Sequence, residues 1–234
     1  MKRASLAAIL FFLVAPTLFA KDCVVLLHGM GRTHFSMLRL QSSLQDAGYE
    51  VWNRSYPSTR NTIEQLVPVV GDAVQDCRKR QARQIHFVTH SLGGILVRAY
   101  FQDHEVPEAR RIVMLGAPNH GSEAVDSYKN RWWFRKATGP AGQQLGTDPG
   151  SVPNRLAPIR LEVGIIAGTK SSDPWFSNLY QETHDGKVSV SSAKLPEMKD
   201  FLLVESGHTF MMNSSEVIRQ VKLFLRTGAF GKMP

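Results

Sequence analysis

The chain has 234 residues, two cysteines and a formal net charge of +8. That length suits one domain with a single core, stable without metals or many disulfides. The basic charge is spread along the chain, with Arg78-Lys79-Arg80 as its compact cluster. No organised nucleic-acid patch or recognised module is present, and anionic membrane or envelope surfaces are the contacts such a charge favours.

In chain order, the first twenty residues read as a signal peptide. Lys2 and Arg3 open it, Leu6 to Val14 form an apolar run, Pro16 breaks the run, and Leu18-Phe19-Ala20 offers a cleavage site. The run falls short of the roughly 20 residues that span a bilayer, and an uncleaved anchor is the alternative. Export to the periplasm or the medium is therefore expected, with residues 21–234 as the mature domain. In an exported chain two cysteines commonly pair. A Cys23–Cys77 bridge would tie the mature N-terminus to the end of an early helix; two free thiols are the alternative.

Short apolar runs alternate with amphipathic stretches, which predicts a mostly parallel sheet covered by helices. Strands are expected at Cys23–Leu27, Glu50–Arg54, Gln84–Val88, Arg111–Leu115, Leu161–Ala167 and Phe201–Val204. Helices are expected at Phe35–Ala47, at Thr62–Arg80 with a disturbance at Pro68, and at Leu92–Gln102. A last helix is expected to be capped by Asn213, with Glu216 answering in a capping box, and to stop at Gly228. Residues 120–160 break the rhythm. This long connection contains Trp132-Trp133-Phe134 and reads as a lid-like or substrate-binding insertion, the alternative being an ordinary crossover with buried aromatics.

Gln84–Val88 leads into Thr89-His90-Ser91-Leu92-Gly93-Gly94 and then a helix. A sharp strand-to-helix turn exposes a serine oxygen for attack and demands small residues two before and two after it. Gly93 meets the second demand, whereas Thr89 stands where glycine is usual. Ser91 also falls at a helix N-terminus, where free N–H groups favour developing negative charge.

On these residues the chain resembles the α/β-hydrolase superfamily, in particular its bacterial lipases and esterases, over residues 22–230. The resemblance extends to Leu27-His28-Gly29-Met30-Gly31, Leu115-Gly116-Ala117-Pro118-Asn119-His120-Gly121, Asp185-Gly186-Lys187-Val188 and Gly207-His208. It implies an α/β-hydrolase fold with a six-stranded sheet, helices on both faces and a lid-like insertion. It also implies a Ser, Asp, His chain order, with Ser91 as nucleophile, His208 as base and Asp185 as the orienting acid. The backbone N–H groups of Met30 and Leu92 are the implied oxyanion donors.

Rivals remain at two positions. His120 follows a strand end and competes with His208, while Asp173 lies nearer the fifth strand than Asp185. His28 reads as structural, and His90 is expected to point away from Ser91. An acyl ester or lipid is the expected substrate, with Trp132, Trp133 and Phe134 as binding residues. No cofactor or metal, contact with a membrane surface and a monomeric state complete the expectation. A thioesterase, an acyltransferase or a non-enzymatic lipid-binding relative are the alternative readings.

Overall fold

The computed structural model describes residues 20–171 and 179–232. The signal-peptide reading at 1–20 and the rival Asp173 therefore lie outside the described residues, save Ala20.

Six strands form one sheet: β1 (Cys23–Leu27), β2 (Glu50–Asn53), β3 (Ile85–His90), β4 (Ala109–Leu115), β5 (Glu162–Gly168) and β6 (Asp200–Val204). Their order is β2-β1-β3-β4-β5-β6, and all five pairings are parallel, as the alternation of apolar runs and amphipathic stretches implies. Parallel strands require covered faces, and their period of two sends alternate side chains to each. Val24, Leu26, Val88, Val113, Leu115 and Ile166 fill one face, while Cys23, Val25, Leu27, Phe87, Met114 and Ile165 fill the other.

Two helices pack on the first face. These are α1 (Leu38–Asp46), through Leu40 and Leu44, and α9 (Ser215–Thr227), through Val217, Val221 and Phe224. The opposite face carries α2 (Ile63–Leu66), α3 (Pro68–Lys79) and α4 (Leu92–Asp103). Each fully buried Phe, Leu, Ile or Val contributes about 1.5–3 kcal/mol of hydrophobic free energy. Cys23 and Cys77 are joined in a disulfide with Cα atoms 5.9 Å apart, fastening α3 to β1.

Three local expectations need correction. The stretch 62–80 is two helices, because Pro68 takes the first position of α3, where its missing N–H costs nothing. Thr62 caps α2 in a capping box with Gln65. The first helix enters through a 3-10 turn at His34–Met37 before α1 begins. Ser214, not Asn213, caps α9, its hydroxyl accepting from the Val217 N–H, and Glu216 pairs instead with Arg219. Gly228 ends α9 with φ of 78°, as a left-handed C-terminal glycine does.

The insertion between β4 and β5 contains α5 (Glu123–Tyr128), α6 (Trp132–Gln143) and α7 (Val152–Arg155). α6 is broken at Gly139-Pro140. Its second half is tied down by the Ala141 N–H donating to Asn61 O and by Gln144 bridging to Ile63 and Glu64. A short α8 (Val190–Ala193) precedes β6.

Candidate active site

β3 ends at His90 and α4 begins at Leu92, which leaves Ser91 alone to turn the chain. Its backbone sits at φ 52°, ψ −120°, a conformation a non-glycine residue holds at a cost of about 1–3 kcal/mol. A serine that merely capped α4 would need no such strain, and the Ser91 side chain makes no capping bond. The turn brings α4 so close to β1 that a β-carbon at Gly93 would lie 2.7 Å from the Leu27 carbonyl oxygen. Thr89, where glycine is usual, is accommodated as a buried strand residue in register with Leu27 and Met114.

Asp185 occupies a tight loop in which its Oδ1 accepts from the N–H groups of Lys187 and Val188, both at 2.9 Å. Its Oδ2 accepts from Nδ1 of His208 at 2.8 Å, and its carbonyl accepts from the His208 N–H at 2.9 Å. The carboxylate is thereby held by three donors, and the His208 tautomer is set with Nε2 as the basic nitrogen. Both side chains are buried.

Ser91 and His208 line the same cavity, of ≈ 100 Å³, with Met30 beside them. Val125, Phe134, Leu145 and Val188 supply apolar wall. The Leu92 N–H, first in α4, has no acceptor within its helix. The insertion is coupled to the acid loop, since Ser122 Oγ donates to the Lys187 carbonyl at 2.7 Å.

The three aromatics of the insertion separate. Phe134 is buried and faces the cavity, but Trp132 and Trp133 are 75% and 42% exposed and contribute nothing to its wall. Neighbouring positions on a helix point about 100° apart, so one helix cannot turn all three inward. Of the three aromatics expected to bind substrate, Phe134 thus stands in the wall of this cavity, and Trp132 and Trp133 stand outside it.

Three other histidines near the site have places of their own. His120 is exposed and hydrogen-bonded to Asn154. His28 is buried, stacked on Tyr56 and bonded to it, and burial lowers its pKa, which fits the structural role expected. His90, assigned no role from sequence, is buried and absent from the cavity wall. Its Nε2 donates to the His208 carbonyl at 2.9 Å. Burial first, then the neighbouring His208, holds its pKa well below the ordinary value, so it stays neutral.

Comparison with known proteins follows this geometry. The lipase BlEst2 of Bacillus licheniformis, in its mature form, has a TM-score of 0.72 at 17% identity, covering 89% of this chain and 92% of that one. The phospholipase PlaB of Legionella pneumophila has a TM-score of 0.66 at 16% identity, over 87% of this chain and 57% of that one. An extracellular α/β-hydrolase from a Paenibacillus species has a TM-score of 0.54 at 18% identity, over 88% and 99%. These likenesses show that the sheet and its helices form the α/β-hydrolase fold. None of the curated proteins matches the chain. The family model of palmitoyl protein thioesterases matches residues 23–157, from β1 to the end of α7 with Ser91 inside it, and the chain belongs to that family.

Proposed function

We propose that the chain is a serine hydrolase of acyl esters, acting through an acyl-enzyme on Ser91. One observation carries the reading: the 2.8 Å pair of His208 and Asp185 opens on the cavity that the strained Ser91 also lines. His208 Nε2 takes the Ser91 proton as Oγ attacks the acyl carbon. The N–H groups of Leu92 and Met30 receive the oxyanion, each worth roughly 3–4 kcal/mol in the transition state. The imidazolium, stabilised by Asp185, protonates the departing group, and water then repeats the sequence on the acyl-enzyme.

Thioester cleavage is the second reading, favoured by the family match over residues 23–157. The same groups serve it, since only the departing atom changes. The Cys23–Cys77 disulfide supports work in an oxidising compartment outside the cytoplasm.

The test is labelling with a fluorophosphonate probe together with hydrolysis of nitrophenyl butyrate and of a butyryl thioester. The expected result is labelling and turnover by the wild type and neither by Ser91→Ala of unchanged melting temperature. Unlabelled, folded wild-type protein, or turnover that survives the substitution, overturns the reading. The ratio of ester to thioester rates decides between the two leaving groups.

A further inference from the structure

The outward face of α6 combines two features that soluble surfaces keep apart. Trp132, at 75% exposure, is among the most exposed large apolar side chains described, and Trp133 beside it is 42% exposed. Around them Arg131, Arg135 and Lys136 are exposed as well. None of these three cations pairs with a carboxylate among the described residues; Arg135 Nε donates to the Lys129 carbonyl instead. Lys129, by contrast, is neutralised by Asp126 and Asp148. The surface thus presents uncompensated positive charge with indole rings set into it.

We propose that this face docks the protein on an anionic lipid bilayer. Indoles partition to the headgroup boundary, where an apolar ring and a polar N–H are both satisfied. Cations beside them gain from the negative surface potential. An acidic protein would need a fitted pocket for Trp132 as well as carboxylates for the charges, whereas a lipid headgroup layer takes up both without one. Among the described residues no helix is long and apolar enough to cross a membrane. Trp133 packs on Tyr128 and Phe134, at 5.3 and 5.7 Å between ring centroids, so the docked face is anchored rather than hanging free. Phe134, on the inward side of the same helix, lines the Ser91 cavity, and docking sets that cavity at the lipid boundary. A similar pairing recurs at the same end of the sheet, where Phe210 is 67% exposed with the Arg32 guanidinium 5.6 Å over its ring.

The experiment is sedimentation of Ser91→Ala protein with vesicles of phosphatidylcholine alone or mixed with phosphatidylglycerol. Using Ser91→Ala keeps the result independent of catalysis. Binding is expected with the anionic vesicles only, weakened by salt and accompanied by a blue shift of tryptophan emission. Replacing Arg131, Arg135 and Lys136 together by Gln should weaken it roughly a hundredfold, at about fivefold per charge. Trp132→Ala should weaken binding and remove most of the blue shift. These positions are exposed, and an unchanged melting temperature checks that each variant is folded. Failure to bind anionic vesicles at low salt overturns the proposal, as does binding indifferent to the three charges. Charge-dependent binding to polyglutamate without vesicle binding assigns the face to an acidic protein instead.

Discussion

His90 hydrogen-bonds the backbone of His208 across 118 residues of sequence, its Nε2 meeting the carbonyl oxygen at 2.9 Å. The two rings lie 4.8 Å apart. A carbonyl can only accept, so Nε2 carries the proton, and the lowered pKa of His90 keeps the second nitrogen bare. The last residue of β3 thereby fastens the loop carrying His208 to the turn carrying Ser91. Misplacement of a reacting group by 1 Å costs about a hundredfold. His90→Ala should accordingly lower kcat by about 10- to 100-fold with KM little changed, whereas His90→Gln, which keeps a donor, should recover most of it. Equal kcat in all three proteins, with only the melting temperature falling, would reduce His90 to a packing residue.

Gly116 stands behind the His208–Asp185 pair. Its φ is +55°, and a β-carbon there would lie 2.9 Å from Asp185 Oδ2 and 3.1 Å from His208 Nδ1. The hydrogen bond between them therefore requires the absence of a side chain. Gly116→Ala should lower kcat about a hundredfold and cost about 1–2 kcal/mol of stability from the left-handed backbone alone. Steady-state kinetics beside urea denaturation separate the two effects. A variant that loses stability but turns over at the wild-type rate contradicts the crowding argument.

His86 sets part of the pH dependence of folding. It is buried in β3, and burial pushes its pKa down to about 4 although Asp22 lies 3.8 Å away. The folded protein keeps this imidazole neutral down to about pH 4, while the unfolded chain protonates it near the ordinary value of 6.5. The unfolded state thus binds more protons, and stability falls as the pH drops through that interval. His86 contributes up to about 3 kcal/mol to the loss. His28 and His90, also lowered by burial, add to it. Urea denaturation at about pH 7 and about pH 4.5 should show a smaller difference in His86→Leu than in the wild type. An equal difference would mean that water reaches His86.

The strands were legible because a buried parallel strand writes itself as a short continuous apolar run, as at Cys23–Leu27. The Ser91 turn was legible because a strained strand-to-helix corner demands Gly93 locally. Long-range geometry was not. The bond from His90 to His208 has no local signature, since His90 reads as one more strand residue. The split between Phe134 and the two tryptophans depends on the phase of α6, which starts only at Trp132 and is broken at Gly139-Pro140. Asn213 and Ser214 are adjacent residues of equal capping chemistry, and the 3-10 turn over 208–213 decides between them by using up the first. Two cysteines 54 residues apart in sequence carry no distance, and only the packing of α3 against β1 brings them together.

Phe134 should set the acyl length the cavity accepts. The space beside Ser91 is ≈ 100 Å³, against roughly 300–1,000 Å³ for pockets that engulf a drug-sized ligand. With α6 in this position there is room for a short acyl chain and not for a palmitoyl one. In the absence of lipid the protein should therefore turn over nitrophenyl acetate and butyrate faster than nitrophenyl palmitate. Phe134→Ala removes the aromatic wall and should move the optimum to longer chains. Each additional buried methylene adds about 0.8 kcal/mol of binding, or roughly fourfold in kcat/KM. A chain-length series with both proteins measures the shift. A wild-type optimum at palmitate, unmoved by Phe134→Ala, would mean that α6 leaves the cavity during turnover and that Phe134 does not bound the acyl chain.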